Sequence, residues 1–138
     1  MKIAKEFRWE MGHRLRFHDG KCKNLHGHSY KLLVEVEGDV EGYGMVMDYY
    51  DMKKVIGPIV DELDHSFIVN KDDTELLEVL EKLNSQKVVV DFETTAENIC
   101  GYFLRKIKAA DMPKNIHRVK VMVYETENTY AEDEISLS

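Results

Sequence analysis

The sequence predicts an α+β protein in which an antiparallel sheet packs against helices on one face. Apolar and polar residues alternate near both ends of the chain, which is typical of half-buried strands. In the middle, apolar residues recur at the spacing of amphipathic helices. The order strand, strand, helices, strand, strand therefore favours an antiparallel sheet with its helices grouped together. Because the chain has 138 residues, 43% of them apolar, residues 1–138 are predicted to form one domain.

Two strands are predicted in the first quarter of the chain. The first ends at His13, and its apolar residues occupy odd positions, namely Ile3, Phe7, Trp9 and Met11. The second runs from Tyr30 to Glu37 and has apolar residues at even positions, namely Tyr30, Leu32, Val34 and Val36. Since alternate residues of a strand share a face, we expect an antiparallel hairpin with one apolar face.

A helix is predicted after the turn at 38–44, with Asp48 as its N-terminal cap. Its apolar stripe consists of Met52, Val55, Ile56, Ile59, Val60 and Leu63. Gly57-Pro58 lies inside this stripe and is predicted to kink or split the helix.

A shorter stripe follows Asp72-Asp73-Thr74 and predicts a surface helix or insert. Its residues are Leu76, Leu77, Leu80 and Leu83. Val88-Val89-Val90 predicts a short strand. The next helix is expected from about Thr95 to Ala110, where Asp111-Met112-Pro113 stops it. It carries Cys100 on its apolar face, which predicts a packed core thiol.

The last quarter predicts a second pair of strands. Val119, Val121 and Val123 alternate toward Glu125, and Glu127-Asn128 is a turn candidate. A final strand is expected near Tyr130 to Leu137.

Composition excludes several classes of function. A net charge of -7 argues against a nucleic-acid-binding surface. Met1 to Glu10 carries five charges and no apolar run, so we expect neither a secretory signal nor a membrane span. Two cysteines far apart in sequence predict no disulfide framework, which agrees with a cytoplasmic location.

One segment of this acidic chain is basic. Between His13 and Asn24, four cations face the single acid Asp19, and they are Arg14, Arg16, Lys21 and Lys23. This balance suggests a local anionic ligand, although a solvated loop would look the same.

His26-Gly27-His28 places two imidazoles on one face of the second strand, where they can bind one metal ion. His13 continues the apolar register of the first strand, so a hairpin would bring all three together. Three imidazoles with an open fourth position are the ligand set of a catalytic zinc site. Cys22 lies in the preceding loop and need not be a ligand. Alone, the His-x-His pair would more often be two half-exposed strand histidines, and the third histidine in matching register reverses that preference.

Five motifs, in order and spacing, resemble one known family. They are Gly12-His13-Arg14-Leu15, Cys22 with His26-Gly27-His28, Leu63-Asp64-His65, Thr95-Ala96-Glu97-Asn98 and Tyr124-Glu125-Thr126. The chain is similar to the 6-pyruvoyltetrahydropterin and 6-carboxytetrahydropterin synthases, and its compact cysteine motif resembles the 6-carboxy type. The resemblance implies the tunnelling fold, with a four-stranded antiparallel sheet and two main helices. It also implies that three subunits join sheets into a barrel, that two trimers stack, and that active sites lie between subunits.

The resemblance also implies roles for individual residues. His13, His26 and His28 would bind zinc. Cys22 would be the general base, and Asp64 with His65 a proton-relay pair. Glu125 would anchor the pterin, with Thr95 and Glu97 nearby, and the basic residues counted as substrate contacts are Arg14, Lys21 and Lys23. Thr94 departs from the proline found in many relatives.

The implied substrate is 7,8-dihydroneopterin triphosphate, which loses triphosphate while hydrogens are redistributed internally. Zinc suits this chemistry as a Lewis acid, and a thiolate near Lys21 and Lys23 suits it as a base. No Gly-x-Gly-x-x-Gly motif is present for a nicotinamide cofactor. We expect a 6-carboxytetrahydropterin synthase, a lyase that also releases acetaldehyde and serves queuosine-type deazapurine synthesis.

Three alternatives remain open. The first is a 6-pyruvoyltetrahydropterin synthase, and the second is side-chain cleavage of dihydroneopterin toward folate, against which Cys22 counts. The third, from another class, is a non-catalytic pterin-binding module stabilised by zinc. Without the resemblance, Asp64-His65 would read as a helix-end turn and Glu125 as a solvated strand-end residue.

A four-stranded sheet alone leaves two edges with unpaired backbone groups. Met122 and Tyr124 alternate with Val121 and Val123, so both faces of the sheet are predicted to be covered. One face would pack on the helices and the other would line a barrel shared by three chains. We therefore expect a homo-oligomer, either a trimer or a hexamer.

Overall fold

The computed structural model describes residues 1–137. Nine helices and strands occur in that range, together with a single 3-10 turn at Lys21–Lys23. In chain order they are β1 (Lys2–His13), β2 (His26–Gly38), α1 (Tyr49–Leu63), β3 (Ser66–Asn70), α2 (Thr74–Lys82), β4 (Lys87–Val90), α3 (Ala96–Ala109), β5 (Ile116–Thr126) and β6 (Thr129–Ser136).

The strands form one six-stranded sheet in the order β4-β3-β1-β2-β5-β6. The four long strands β1, β2, β5 and β6 pair antiparallel, as predicted, whereas β3 and β4 add in parallel. The α+β class is confirmed, but the sheet has six strands rather than four. β4 contains the predicted short strand. β3 was not predicted, because its last three residues are all buried and so lack the alternation of apolar and polar side chains that indicates a strand.

The β1–β2 register brings the predicted apolar faces together. Trp9 lies opposite Tyr30 and His13 opposite His26. This face packs on α1 and α3, and the residues that are fully inaccessible there include Leu32, Val34, Val36, Met52, Ile56, Leu63, Ile99, Phe103, Ile107, Val119, Val121 and Val123. The core thus lies between the four-stranded part of the sheet and two helices.

α1 runs without interruption through Pro58, so the predicted split is wrong. Asp48 caps it, because its side chain accepts a hydrogen bond from the Tyr50 amide at 2.7 Å. Proline removes one hydrogen bond from a helix. Burial of Met52, Ile56, Val60 and Leu63 against the core offsets this loss.

α2 is the predicted insert. Leu76 and Leu80 pack with Val69 in a small cluster separate from the main core. Cys100 lies in the main core, as predicted, and both cysteines are free. Among residues 1–137 no helix combines the length and apolar character needed to cross a membrane.

The second face of the four-stranded part is charged and partly exposed. Lys120 lies 3.7 Å from both Glu35 and Glu132, and Lys2 lies 3.7 Å from Glu35. No helix of this chain covers these residues, whose side chains retain 24% or more of their exposure. The predicted cover on this face would therefore have to come from other copies.

Candidate active site

Three histidines meet at the end of the β1–β2 hairpin. His13 and His26 lie opposite each other, and His28 follows two residues later on the same face. One nitrogen from each ring lies within 4.8 Å of the others. Cys22 does not belong to this group. The sequence prediction that these three imidazoles converge is therefore confirmed, although the identity of a metal stays a prediction.

Backbone carbonyls orient two of the rings. The His13 Nδ1–H faces the Thr94 carbonyl at 2.9 Å, and His26 Nδ1–H faces the Asn24 carbonyl at 2.7 Å. Because the proton sits on Nδ1 in this arrangement, Nε2 presents a lone pair. The Nε2 atoms of His13, His26 and His28 are all buried without a hydrogen-bond partner. Three orphaned nitrogens aimed at one point fit a bound metal ion.

Glu125 faces the same point from β5. Its Oε1 lies 3.5 Å from His13 Nε2 and 3.8 Å from His28 Nε2. The β5–β6 register shifts between Tyr124 and Thr126, so Glu125 is the extra residue of a bulge. A carboxylate beside nitrogen lone pairs is favourable only when a cation lies close to them. Glu125 therefore adds a second reason to expect a cation here.

Burial sets the protonation of this cluster. It lowers the pKa of His13 from 6.5 to about 4, and the neighbouring His26 and His28 lower it further, although the Thr94 carbonyl acts in the opposite direction. Burial also lowers the pKa of His28, against the attraction of Glu125. Neutral imidazoles are the form that binds metal, so the lowered pKa values of His13 and His28 favour metal binding.

The N-terminus of α3 borders the histidine cluster. Thr94 is buried against His13, and Thr95 caps the helix by accepting from the Asn98 amide at 3.2 Å. A cavity of about 430 Å³ lies beside it. Glu97 and Glu125, two of the three predicted pterin contacts, both line this cavity, whereas Thr95 is not part of its lining.

The loop between β1 and β2 carries the predicted base. Cys22 is partly exposed, and its carbonyl accepts a hydrogen bond from the Leu15 amide at 2.8 Å. Lys21 and Lys23 flank it and are exposed. These three residues therefore remain accessible to a ligand.

Arg14 has a structural role that the sequence did not reveal. Its guanidinium binds both carboxylate oxygens of Asp73, with Nε at 2.7 Å from Oδ2, and contacts Glu75 at 3.2 Å. Asp73 is 4% exposed, and the guanidinium lowers the pKa of its carboxyl group. Arg14 was predicted to contact the substrate, but in the structure a triphosphate would have to compete with two carboxylates for its guanidinium.

Asp64 and His65 lie away from the histidine cluster. The His65 Nδ1 is 3.0 Å from Asp64 Oδ1, and the Glu10 amide donates to the same oxygen at 2.9 Å. His65 borders a cavity of about 370 Å³ whose lining includes Glu10, Gly12 and Ser29, and also His28. Because Glu10, Gly12 and Ser29 alternate with His13 and His28 on β1 and β2, they point to the other face of the sheet. Among residues 1–137 no hydrogen bond, ion pair or ring contact joins His65 to the three imidazoles.

The sheet is closely packed around Gly12, the residue before His13. Gly12 lies opposite Gly27, and the ring of Phe67 covers it. A Cβ atom at position 12 would approach that ring to 2.7 Å, which is closer than van der Waals contact allows.

Sequence reasoning missed two contributors to this region. Thr94 was noted only as a departure from proline, yet its carbonyl orients His13. Asp73 was recognised as part of a helix start, yet it also holds Arg14. No residue pattern predicts which backbone carbonyl a histidine meets. For the pairing of Asp73 with Arg14, the available signal was the acidic pair Asp72-Asp73 in a chain whose β1–β2 loop is basic.

Comparison with known proteins reveals extensive similarity. Residues 2–134 match the family model described as 6-pyruvoyl tetrahydropterin synthase. The 6-carboxy-5,6,7,8-tetrahydropterin synthase of Haemophilus influenzae is 44% identical over 115 residues, covering 78% of this chain and 82% of that protein. The enzyme of the same name from Aquifex aeolicus is 36% identical and covers 95% of this chain and 96% of its own length.

Solved structures resemble the fold. The 6-pyruvoyltetrahydropterin synthase of Plasmodium vivax superposes with a TM-score of 0.79 at 19% identity, covering 99% of this chain and 98% of that one. The Caenorhabditis elegans 6-pyruvoyl tetrahydropterin synthase superposes with a TM-score of 0.71 at 25% identity, covering 99% and 96%.

Proposed function

Because this chain belongs to the 6-pyruvoyl tetrahydropterin synthase family, we propose that it is a zinc-dependent 6-carboxy-5,6,7,8-tetrahydropterin synthase. The observation that carries the proposal is the set of three buried, unpartnered Nε2 atoms of His13, His26 and His28, with Glu125 beside them. The choice of the 6-carboxy product is supported by the names of the relatives that share 44% and 36% identity with it.

The proposed substrate is 7,8-dihydroneopterin triphosphate. It loses triphosphate, and its hydrogens are redistributed within the molecule to give a diketone side chain. One water then adds to that side chain, which releases acetaldehyde and leaves the 6-carboxyl group. Zinc, when bound by the three histidines, would act as a Lewis acid on the substrate's side-chain oxygens. We expect this reaction to serve queuosine-type biosynthesis in the cytoplasm.

The chain's own residues then have distinct tasks. Cys22 removes a proton from carbon, and the exposed Lys21 and Lys23 favour its thiolate while attracting the triphosphate. Glu125 accepts charge-assisted hydrogen bonds from the pterin's amino and ring N–H groups. Thr95 and Glu97 complete that side of the pocket from the start of α3.

His65, supported by Asp64, is proposed to move a proton at the site of a neighbouring subunit. The reason is geometric, because within residues 1–137 this pair is hydrogen-bonded to the backbone of Glu10 and makes no hydrogen bond, ion pair or ring contact with the three imidazoles. A homo-oligomer in which one chain's relay pair faces another chain's histidines removes the separation.

Two unpaired strand edges support such an assembly. No strand among residues 1–137 pairs with the outer edge of β1 over residues 2–10, or with the outer edge of β6. A groove of about 650 Å³ beside the β1 edge is lined by four cations, Lys5, Arg8, Lys53 and Lys54, and by two acids, Glu6 and Asp61, whereas β6 carries Glu132-Asp133-Glu134. We propose that β6 of one copy lies along β1 of the next, which closes a barrel of three chains.

Sedimentation at micromolar concentration tests the assembly. A trimer or hexamer is expected. A folded, fully active monomer would refute both the barrel and the shared site.

Product analysis tests the activity. Zinc-loaded protein incubated with 7,8-dihydroneopterin triphosphate should give 6-carboxytetrahydropterin, triphosphate and acetaldehyde, identified by mass. A 6-pyruvoyl product would instead assign the second type of synthase. A hydroxymethyl product with the side chain cleaved would indicate the folate-type reaction. Pterin binding without any product would indicate the remaining alternative, a non-catalytic pterin-binding module that keeps the fold and the metal site.

A further inference from the structure

Tyr30 carries a hydroxyl group for which the fold provides no partner. The residue is 1% exposed, and its hydroxyl oxygen is buried without a hydrogen bond. A buried unpaired hydroxyl destabilises a protein relative to phenylalanine, because its hydration is lost and nothing replaces it. A native group of this kind calls for an explanation beyond packing.

Tyr30 occupies the row of side chains next to the histidine cluster. On β1 its partner is Trp9, and the two rings stack with centroids 5.0 Å apart. His28 precedes it on the same face, with ring centroids 5.5 Å apart. Continuing the β2–β5 register by one residue puts Glu125 opposite Tyr30 on the other side. Side chains directly opposite each other on paired strands lie within contact distance.

Glu125 is able to accept a hydrogen bond from this hydroxyl. Its contacts with His13 and His28 involve Oε1. A carboxylate offers about four lone-pair sites on two oxygens, so acceptor capacity remains. In the structure no hydrogen bond joins Tyr30 to Glu125, so both groups remain available to each other.

We propose that the Tyr30 hydroxyl donates a hydrogen bond to the Glu125 carboxylate when a pterin occupies the site, and thereby holds that carboxylate in its pterin-binding position. The inference rests on the proposed function, since it takes Glu125 to face a pterin. Tyr30 is a positioning residue, because it acts through Glu125 and not on the reacting atoms. Hydrogen bonds to a charged acceptor are stronger than neutral ones.

Equilibrium titration of the zinc-loaded protein with 7,8-dihydroneopterin tests this role. Tyr30→Phe should raise the Kd about tenfold, the range expected for one hydrogen bond to a charged group. Zinc content should be retained and the melting temperature should be unchanged or slightly higher, since the change removes a buried hydroxyl oxygen that has no partner in the fold. In a Glu125→Gln background, the same replacement should raise the Kd by at most about threefold, because a neutral amide accepts a weaker bond.

Tyr102→Phe is the matched control. Tyr102 also buries a hydroxyl without a partner, but it lies on α3 beside Phe92, outside the row of Tyr30. Its replacement should leave the Kd unchanged.

Three results would overturn the inference while the proposed function stands. They are an unchanged Kd in Tyr30→Phe, an equal loss in Tyr102→Phe, and an undiminished tenfold effect in the Glu125→Gln background. Loss of zinc in Tyr30→Phe would show a structural role instead. A parent protein that binds no pterin would overturn the proposed function itself, and the inference with it.

Discussion

Two histidine environments on opposite faces of the sheet differ in almost every respect. His13 is 1% exposed, is oriented by the Thr94 carbonyl and lies within 4.8 Å of two other imidazoles. The side chain of His65 is 76% exposed and contacts only its neighbour Asp64 in a tight turn with a φ of 60°. The first environment is complete within one chain. The second has the groups of a proton relay but lacks an enclosed pocket, which a neighbouring subunit could provide.

The difference suggests a division of functions between the two faces, with metal binding on one and proton transfer on the other. A metal site needs rigid, neutral, desolvated ligands, and the interior face of a sheet supplies them. A relay that exchanges protons needs access, and a turn at the end of α1 supplies it. The following predictions test that division, from the largest expected effect to the smallest.

Zinc content should depend only on the face of the sheet that carries His13, His26 and His28. His13→Ala, which removes a buried ligand, should reduce bound zinc from about one ion per chain to nearly none. His65→Ala and Cys22→Ala should retain it. Metal analysis of purified variants provides the measurement. A metal-free Cys22→Ala protein would show the cysteine to be a ligand and contradict the open site.

Turnover should depend on both faces. Cys22→Ala and His65→Ala should each reduce turnover about a thousandfold while pterin binding is largely kept, since each removes a proton-transfer group. Glu125→Ala should mainly weaken binding. Titration with a pterin beside steady-state kinetics separates the two effects.

Subunit mixing sharpens the same comparison. If each site combines two chains, equal amounts of His13→Ala and His65→Ala protein, denatured and refolded together, should recover about a quarter of the parent activity, because one site in four has both halves intact. Each variant refolded alone is the control. Recovery of no activity from a folded mixture would mean that each chain works by itself.

Acid should destabilise the metal-free protein through the buried face. The pKa of His13 falls from 6.5 to about 4 on folding, so the unfolded chain binds more protons between these values. Stability contributed at neutral pH is therefore lost as the pH falls from 6.5 toward 4, by about 3 kcal/mol. Urea unfolding at pH 7 and pH 4.5 measures the loss. This acid-induced loss of unfolding free energy should be smaller in His13→Gln and unchanged in His65→Gln. An equal loss in the two variants would show that His13 is not its source.

The smallest predicted effect concerns the support of the β1–β2 loop. Asp73→Asn should lower the free energy of unfolding by about 2 kcal/mol, because it removes the negative charge from a largely buried pair with Arg14 while keeping an oxygen that can cap α2. Glu75→Gln should have no measurable effect, since Glu75 is 81% exposed. Equal losses in the two variants would show that burial does not determine the strength of these pairs.

Much of this arrangement follows from residue order alone. The odd register of Trp9 and His13 and the even register of His26 and Tyr30 predict one shared face, and the observed pairing has it. The odd register of Val119, Val121 and Val123 places Glu125 on the same face, but its contacts with His13 and His28 were not predictable, because they depend on how β5 pairs with β2. The parallel strand β3 was also hidden, since a fully buried strand lacks alternation. The position of His65 on the other face depends on how α1 returns to β1, which is a tertiary property.

The contact between Gly12 and Phe67 restricts the paths by which this protein can change. Position 12 precedes a predicted zinc ligand on one face, and its backbone is covered by an aromatic ring on the other. A side chain introduced there would displace the ring, the strand or both. Substitution at position 12 should therefore be better tolerated after Phe67 has been replaced by a smaller residue, so the order in which two mutations arise affects the stability of the intermediate protein.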